Sequence, residues 1–309
     1  MIFIPNSGST DPAFNLALEE HCLRKLDPGS EYLLLYINQP SVIIGRHQNP
    51  FQEYNQQVVR QRDIIPVRRI SGGGAVYHDP GNLNFSFITD FTDQKLDYFK
   101  TLLAPIVDTL RHLGVPARMT ERNNILVDGK KVSGNSQHTN MRRMLSHGTL
   151  LFESELDVLQ QVLDSNLKIT ESRAVTSIKS KVTNICDYLR QPMTVEAFRT
   201  GIKGALADAF GEMIEYRISA EEKEAVRRLA EEKYRSWHWT FGRSPEFIVH
   251  HKVRLESANA NARFKVKNGI IKDIEWADQI AESALVKGYI SRLIGEPYDQ
   301  KGADNIIIR

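Results

Sequence analysis

Residues 68–87, RRISGGGAVYHDPGNLNFSF, set two arginines and three consecutive glycines between runs that read as strands. A glycine triplet permits backbone angles closed to other residues, and it leaves N–H groups free to line a concavity that accepts anionic oxygen. Arg68 and Arg69 add fixed charge with forked donors suited to a carboxylate or phosphate. Spacing excludes two familiar nucleotide loops. A dinucleotide fingerprint needs a glycine three positions after Gly74, where Tyr77 stands; the phosphate loop needs Lys-Ser or Lys-Thr after its last glycine, where Ala75 and Val76 stand. A glycine-rich hairpin loop with solvated arginines is the plain alternative.

Helices and strands alternate irregularly along the chain. Asp11-Pro12 reads as a cap followed by proline at the first helical position, and Phe14, Leu18, Cys22 and Leu26 recur at helical spacing, which predicts an amphipathic first helix. Residues 32–38 and 41–46 are β-rich runs, a helix over about 51–62 precedes the strand IIPVRRI, and Asp79-Pro80-Gly81-Asn82 is a turn into the next strand. The glycine loop is therefore expected inside an antiparallel strand pair. A helix over about 96–113 ends at Gly114, and Asp128-Gly129 is a tight hairpin turn. The strand SHGTLLFE and a short helix near 157–163 precede a polar, patternless stretch, 166–182, expected to be a flap. Helices follow over 195–210 and, after a Ser219/Glu222 capping box, to about 235.

Beyond SWHWTFGRSPEF the pattern changes to two-residue alternation with Asn268-Gly269 as a hairpin turn and a last helix over about 279–294. This places a boundary near Gly242, giving a domain over 1–242 and a small α+β domain over 243–309. His250 and His251, adjacent on a strand, point to opposite faces and read as part of a solvated strand.

Composition bounds the function. Forty basic against 38 acidic residues leave a formal charge of +2, so no basic field announces nucleic acid, and clustered base-stacking aromatics are lacking. No apolar run approaches the ~18 residues of a membrane span, no signal segment opens the chain, and two distant cysteines fit a reducing cytoplasm. A cytoplasmic protein without membrane contact is the expectation. Cys22 lies on an apolar helical stripe and reads as structural.

A second candidate element is GKKVSGNSQ, in which Lys131 follows the hairpin turn. It too departs from the phosphate-loop pattern, and by itself a solvated surface lysine explains it.

Taken together, these residues resemble the lipoate–protein ligases. The resemblance lies in Arg68-Arg69 ahead of Ser71-Gly72-Gly73-Gly74-Ala75-Val76-Tyr77-His78-Asp79, in Gly81-Asn82, in the preceding IIGRHQN, and in Lys131-Val132-Ser133-Gly134 followed by His147-Gly148-Thr149-Leu150-Leu151. WHWTFGRSPEF resembles the start of that family's small accessory domain. The elements run in the family's order over nearly the whole chain.

The resemblance implies an α+β catalytic domain with mixed and antiparallel sheets, of the type shared with biotin ligases and class II aminoacyl-tRNA synthetases. It implies a two-step reaction: lipoate and ATP give lipoyl-AMP and pyrophosphate, and an acceptor lysine then takes the lipoyl group as an amide. The implied acceptors are the lipoyl domains of 2-oxoacid dehydrogenase complexes and the H protein of glycine cleavage, and a monomer is expected. Carried over position by position, Arg69, Gly74, Ala75, Val76, Tyr77 and Lys131 would contact ATP and the adenylate. Arg69, Ser71, Gly73, His78, His147, Gly148 and Lys131 would contact lipoate, with Lys131 also catalytic. An apolar slot for the acyl tail would be lined by Ile43, Ile44 and Val76, with His78 and His147 near its mouth.

The chemistry agrees with the resemblance. A carboxylate attacking a phosphate meets anion–anion repulsion, which fixed cations and N–H donors offset. Adenylate is a good leaving group, so no enzyme nucleophile is required. One departure concerns the metal: where the family commonly has Arg-Asn-Asp, this chain has Arg122-Asn123-Asn124. Mg²⁺ prefers carboxylates, so its ligands are left open among Asn124, Asp128, Glu121 and phosphate oxygens. That departure keeps a second reading open, a lipoyl or octanoyl transferase that uses a preformed activated donor.

Overall fold

A computed structural model describes the chain except residues 92–97, 166, 168, 173, 178–179, 256–258, 277–283, 300–306 and 309. Its centre is a six-stranded sheet in the order 135–139, 143–151, 82–90, 32–37, 2–3, 214–215. The strands Asn82–Asp90 and Arg143–Leu151 pair antiparallel over nine positions, whereas Ile2–Phe3 lies parallel to both of its neighbours.

Side-chain alternation divides this sheet between two cores. Leu33, Leu35, Leu83, Phe85 and Phe87 face the helices Tyr98–His112 and Val195–Phe210. Leu34, Tyr36, Ile88 and Leu145 face the helix Pro12–Lys25 and the segment 220–234. The result is a layered α+β structure whose sheet carries helices on both faces.

Local signals explain many boundaries. Asp11 accepts hydrogen bonds from the N–H groups of Ala13 and Phe14, and Ser219 and Glu222 close the reciprocal capping box. Asp128 and Gly129, like Asn268 and Gly269, have positive φ, as a two-residue hairpin turn demands. Gly81 approaches a second strand connection so closely that a Cβ there would lie 1.9 Å from the Glu153 carbonyl oxygen.

Several expectations are corrected. The first helix is not amphipathic, since every residue from Pro12 to Leu23 is buried. The helix expected over 51–62 is two short helices, Pro50–Glu53 and Gln56–Gln61, because Asn55 caps the second with its side chain. The glycine loop does not join a strand pair: Ile65–Arg68 and Val76–His78 flank Ser41–Ile44, the first parallel to it and the second antiparallel. The polar stretch 166–182 contains a strand, Ile169–Ser172, paired with Phe247–Val249. The starts of the helices expected from 96 and 279 lie outside the described residues; the described helices are Tyr98–His112 and Ala284–Leu293.

The strands Phe247–Leu255, Asn259–Lys267 and Ile270–Trp276 form an antiparallel sheet with Ile169–Ser172 on one edge. Its core of Phe247, Val249, Phe264 and Val266 also takes in Phe51. His250 is exposed, but His251 is buried with Nε2 2.8 Å from the Tyr298 hydroxyl, so that strand is solvated on one face only.

Among the described residues Arg68 is the largest fully buried side chain. Its guanidinium donates to the carbonyls of Gly45, Gln48, Trp239 and Thr240, joining segments about 170 residues apart without a carboxylate. Burial, with smaller contributions from the positive Arg243 and Arg69, pulls its pKa down to about 10. Replacing Arg68 with leucine leaves several buried carbonyls unsatisfied and is expected to cost about 3 kcal/mol or more. Urea unfolding of the variant measures this, and a loss below about 1 kcal/mol would contradict the clamp.

Candidate active site

The glycine loop takes its shape from Arg69. This buried guanidinium donates to the carbonyls of Ile43 (3.0 Å), Gly72 (2.5 Å) and Gly74 (2.8 Å) and to the Ser71 hydroxyl (2.9 Å). Burial lowers its pKa to about 10 despite the opposing charge of Glu19. Gly73 turns the loop with φ +87°, and Gly45 packs so closely that a Cβ would lie 2.0 Å from the Gly73 carbonyl oxygen.

Two clefts meet beside this loop. One, of about 540 Å³, is lined by Glu53, Tyr77, Leu151 and Leu159 among others. The second, of about 400 Å³, reaches Leu16, Tyr36, Ile43, His78, Asn84 and His147. They share Ala75, Val76, Lys131, Gly134, Thr149 and Ser177. A third, shallower cleft shares Arg122, Asn124 and Lys131 with the second and adds Lys181.

Lys131 therefore stands where all three meet. Strand alternation turns it inward and leaves Lys130 exposed. Its ammonium lies over Gly134, where a Cβ would come within 3.0 Å of Nζ. Burial and the positive Arg69 lower its pKa, and among the described residues no carboxylate pairs with it. A partly desolvated cation in a cleft is a candidate anion site.

The segment 174–177 closes over the loop. Ser177 Oγ accepts from the Ala75 N–H at 2.9 Å, and Glu53 accepts from the Ser177 N–H (3.1 Å) and hydroxyl and from Gln48 (2.6 Å). Burial raises the Glu53 pKa, and those hydrogen bonds only partly offset it.

Behind the second cleft, His147 places Nε2 2.6 Å from Ser71 Oγ and Nδ1 3.0 Å from Glu19. Fully buried Glu19 also accepts from the hydroxyls of Tyr36 and Ser86. Burial raises its pKa, but the His147 charge and the hydrogen bonds from His147, Ser86 and Tyr36 outweigh that and hold it below the ordinary 4.5.

The structure thus brings Gly73, Gly74, Ala75, Val76, Tyr77, His78, Lys131, His147 and Gly148 to the walls of the two clefts. Arg69 also reaches the second cleft, but Ser71 is fully buried behind the loop and touches it through His147. Ile43 and Val76 line the second cleft, whereas Ile44 points into a separate core with Tyr54 and Tyr77. His78 and His147 line the second cleft and not the first.

Asn124 lines the second and third clefts; Asp128 sits exposed at its hairpin apex and lines none of the three. Among the described residues no group of three His, Cys, Asp or Glu side chains could hold a metal ion. Cys22 is buried with its thiol pKa pushed up by burial, and Cys186, half-buried, has its thiol pushed up to about 11, so neither is a ready thiolate.

Glu19, Tyr36, Glu53 and Ser177 were not visible as site residues in the sequence. Only Glu19 left a signal, as a carboxylate next to Leu18 on the apolar stripe of the first helix.

Comparisons with known proteins show the family. The family described as the lipoyl protein ligase A/B catalytic domain matches residues 11–207. The lipoate–protein ligase LplJ of Bacillus subtilis is 40% identical over 302 residues, 97% of this chain and 91% of that protein. A lipoate protein ligase of Thermoplasma acidophilum, solved with bound lipoic acid, is 27% identical with a TM-score of 0.65, covering 77% of this chain and 97% of its own; it has also been studied with its E2 lipoyl domain. A lipoate-protein ligase A bound with ATP is 26% identical with a TM-score of 0.65 over 78% of this chain and 96% of its own. The chain belongs to the lipoate–protein ligase family.

Glu19→Gln is expected to lower stability by about 3 kcal/mol at pH 7, because it removes a buried, multiply bonded charge. The folded-state pKa is depressed, so this contribution is complete above 4.5 and is lost as pH falls through the lower folded value. Urea unfolding at pH 7 and in acid should therefore show the gap from wild type shrinking in acid, and a gap that widens there would contradict the assignment.

Proposed function

We propose that the chain activates lipoate with ATP and transfers the lipoyl group to a lysine of an acceptor domain. The observation that carries this reading is the ammonium of Lys131, unpaired among the described residues, at the junction of the first two clefts. The first cleft takes the nucleotide against Ala75–Tyr77, and the second takes the acyl chain, whose carboxylate meets the α-phosphate beside Lys131.

In the first half-reaction a lipoate carboxylate oxygen forms a bond to the α-phosphorus and the bond to pyrophosphate breaks. Lys131 and the loop N–H groups offset the charge that develops. In the second, the acceptor lysine's neutral amine attacks the acyl carbonyl, AMP leaves with the bonding electron pair, and the amine gives up a proton. Lys131 then faces the carbonyl oxygen as it becomes an oxyanion. No enzyme nucleophile enters, in keeping with two unactivated thiols.

Mg²⁺ would accompany the ATP phosphates. The residues near Lys131 supply no carboxylate cage for it, since Asn124 is neutral and Glu121 is the one acid lining the third cleft among the described residues. The chain's own counter-charge there is Arg122, Lys131 and Lys181. The acceptors in this reading are lipoyl domains of 2-oxoacid dehydrogenases and the glycine-cleavage H protein, met in the cytoplasm by a monomer. Residues 1–242 form the catalytic domain and 243–309 the accessory one. Among the described residues no helix is long and apolar enough to cross a membrane.

Intact mass of a lipoyl domain incubated with this protein, lipoate, ATP and Mg²⁺ tests the reading. A gain of one lipoyl group is expected, and modification only from preformed lipoyl-AMP or an acyl-carrier donor would select a transferase instead. Lys131→Met should slow both ATP–pyrophosphate exchange and transfer from supplied lipoyl-AMP by roughly 10²–10³. Lys130→Met should change either rate far less, and equal behaviour of the two variants would remove Lys131 from the chemistry. Asn124→Asp should keep or raise exchange at limiting Mg²⁺; collapse of exchange in a folded variant would give Asn124 a different role.

A further inference from the structure

Outside the clefts, four cations gather around a single bonded carboxylate. Glu20 is only 3% exposed and accepts from Arg24 (2.8 Å) and Lys233 (2.6 Å). Lys233 Nζ lies 4.1 Å from the centre of the Trp239 ring, and the Arg243 guanidinium carbon lies 5.0 Å from it. Buried Arg68 ties Trp239 to Arg46, since it donates to the backbone carbonyls of both, at 3.1 and 3.2 Å. Burial, reinforced by the positive Arg46 and Arg24, lowers the pKa of half-buried His138, so both arginines lie near that ring.

Two of these cations are committed and two are not. Glu20 holds Arg24 and Lys233, whereas among the described residues no carboxylate pairs with Arg46 or Arg243, and both are exposed. The whole chain carries a formal charge of only +2, so the concentration is local. It lies beside the proposed site. The Arg46 N–H donates to the Ser71 carbonyl at the root of the glycine loop, and the His47 carbonyl accepts from the Val175 N–H at 3.3 Å. Exposed Val175 lines the second cleft together with Gly73 and Ser136. Ser136 and His138 stand two apart on the strand Asn135–Thr139 and so share one face of the sheet. The basic face therefore borders the rim of the second cleft from outside.

We propose that this face, through Arg46 and Arg243, is the docking surface for the acceptor domain, and that it fits a partner carrying Asp or Glu side chains beside its target lysine. The inference rests on the proposed transfer reaction. An acceptor lysine whose amine reaches the acyl carbonyl beside Lys131 brings its own domain to rest on the rim of the cleft, because a lysine side chain is short. Carboxylates on that domain supply the counter-charge that Arg46 and Arg243 lack within this chain. Exposed charges of this kind speed encounter and fix orientation more than they add raw affinity. Glu20 anchors Arg24 and Lys233 in place without neutralising the face, since one carboxylate serves both.

The test separates the two half-reactions in the full chain. Arg46→Glu combined with Arg243→Glu is expected to raise the KM for a lipoyl domain about tenfold in transfer from supplied lipoyl-AMP, with kcat and lipoate-dependent ATP–pyrophosphate exchange unchanged. Arg46→Lys with Arg243→Lys should keep the wild-type KM. Arg199→Glu with Arg217→Glu makes the same change of net charge on the helix Val195–Phe210 and beyond the strand at the opposite edge of the central sheet, and should leave that KM near wild type. A lipoyl-domain KM that the reversal leaves unchanged, or that the distant pair raises equally, overturns the proposal. So does a loss of exchange in the reversed variant, which would assign these arginines to activation. If the reversal instead weakens binding of an acyl-carrier protein and spares the lipoyl domain, the face serves a donor and the proposal falls. Should the reversed variant not fold, Arg46→Gln with Arg243→Gln decides: its lipoyl-domain KM should be about threefold above wild type at low salt and converge with it in about 0.5 M KCl, and no difference at low salt overturns the proposal. Absence of both exchange and transfer in wild type removes the functional reading and this inference together. Normal wild-type turnover with an unchanged acceptor KM in the variants removes this inference alone.

Discussion

Two adjacent buried arginines hold the structure around its site. Successive residues of a strand point to opposite faces, so Arg68 and Arg69 clamp different things from one position in the chain. Arg69 reaches inward and fixes the glycine loop through the carbonyls of Ile43, Gly72 and Gly74. Arg68 reaches the other way and fixes the carbonyls of Gly45, Gln48, Trp239 and Thr240. A buried charge is costly unless its donors are satisfied. Here the partners are mostly backbone carbonyls, so the cost is met by ordering the loops that make the clefts.

The carboxylate balancing Arg69 is set back from it. Glu19 acts on Arg69 through space and bonds His147, Tyr36 and Ser86 directly. Its position behind the cleft keeps negative charge away from the place where an anionic substrate would lie, while Lys131 remains unpaired at the junction. The wall behind the second cleft is thus a closed polar cluster in which Glu19 takes hydrogen bonds from His147, Tyr36 and Ser86.

How much of this was legible in the sequence depended on distance along the chain. The Asp11 cap, the Ser219/Glu222 box and the Asp128-Gly129 turn are decided within four residues, and each formed as the residues predict. The break at Asn55 was missed because capping there competes with a continuous apolar pattern over 51–62. Lys131 and the glycine loop stood out through the order of motifs shared with the family, whereas their local spacing alone left a solvated lysine and a hairpin loop as plain alternatives. The contacts Glu19–His147 and Ala75–Ser177 span 128 and 102 residues, and nothing local to either partner encodes the other. The pairing of Ile65–Arg68 and Val76–His78 on either side of Ser41–Ile44 is likewise a tertiary choice that alternation cannot decide.

The stretch 166–182 shows what absence of a pattern can mean. Its polarity argued for a flap without regular structure, yet Ile169–Ser172 joins the edge of the C-terminal sheet and Ser177 lies on the glycine loop. A strand on a sheet edge needs few apolar residues of its own, because main-chain hydrogen bonds supply the pairing. Only four residues separate Ser172 from Ser177, a reach of roughly 16 Å when extended. The strand that completes one sheet and the hydroxyl that covers the Ala75 N–H are therefore parts of one short tether. The C-terminal sheet and the glycine loop are coupled through it as well as through the Arg68 clamp on Trp239 and Thr240.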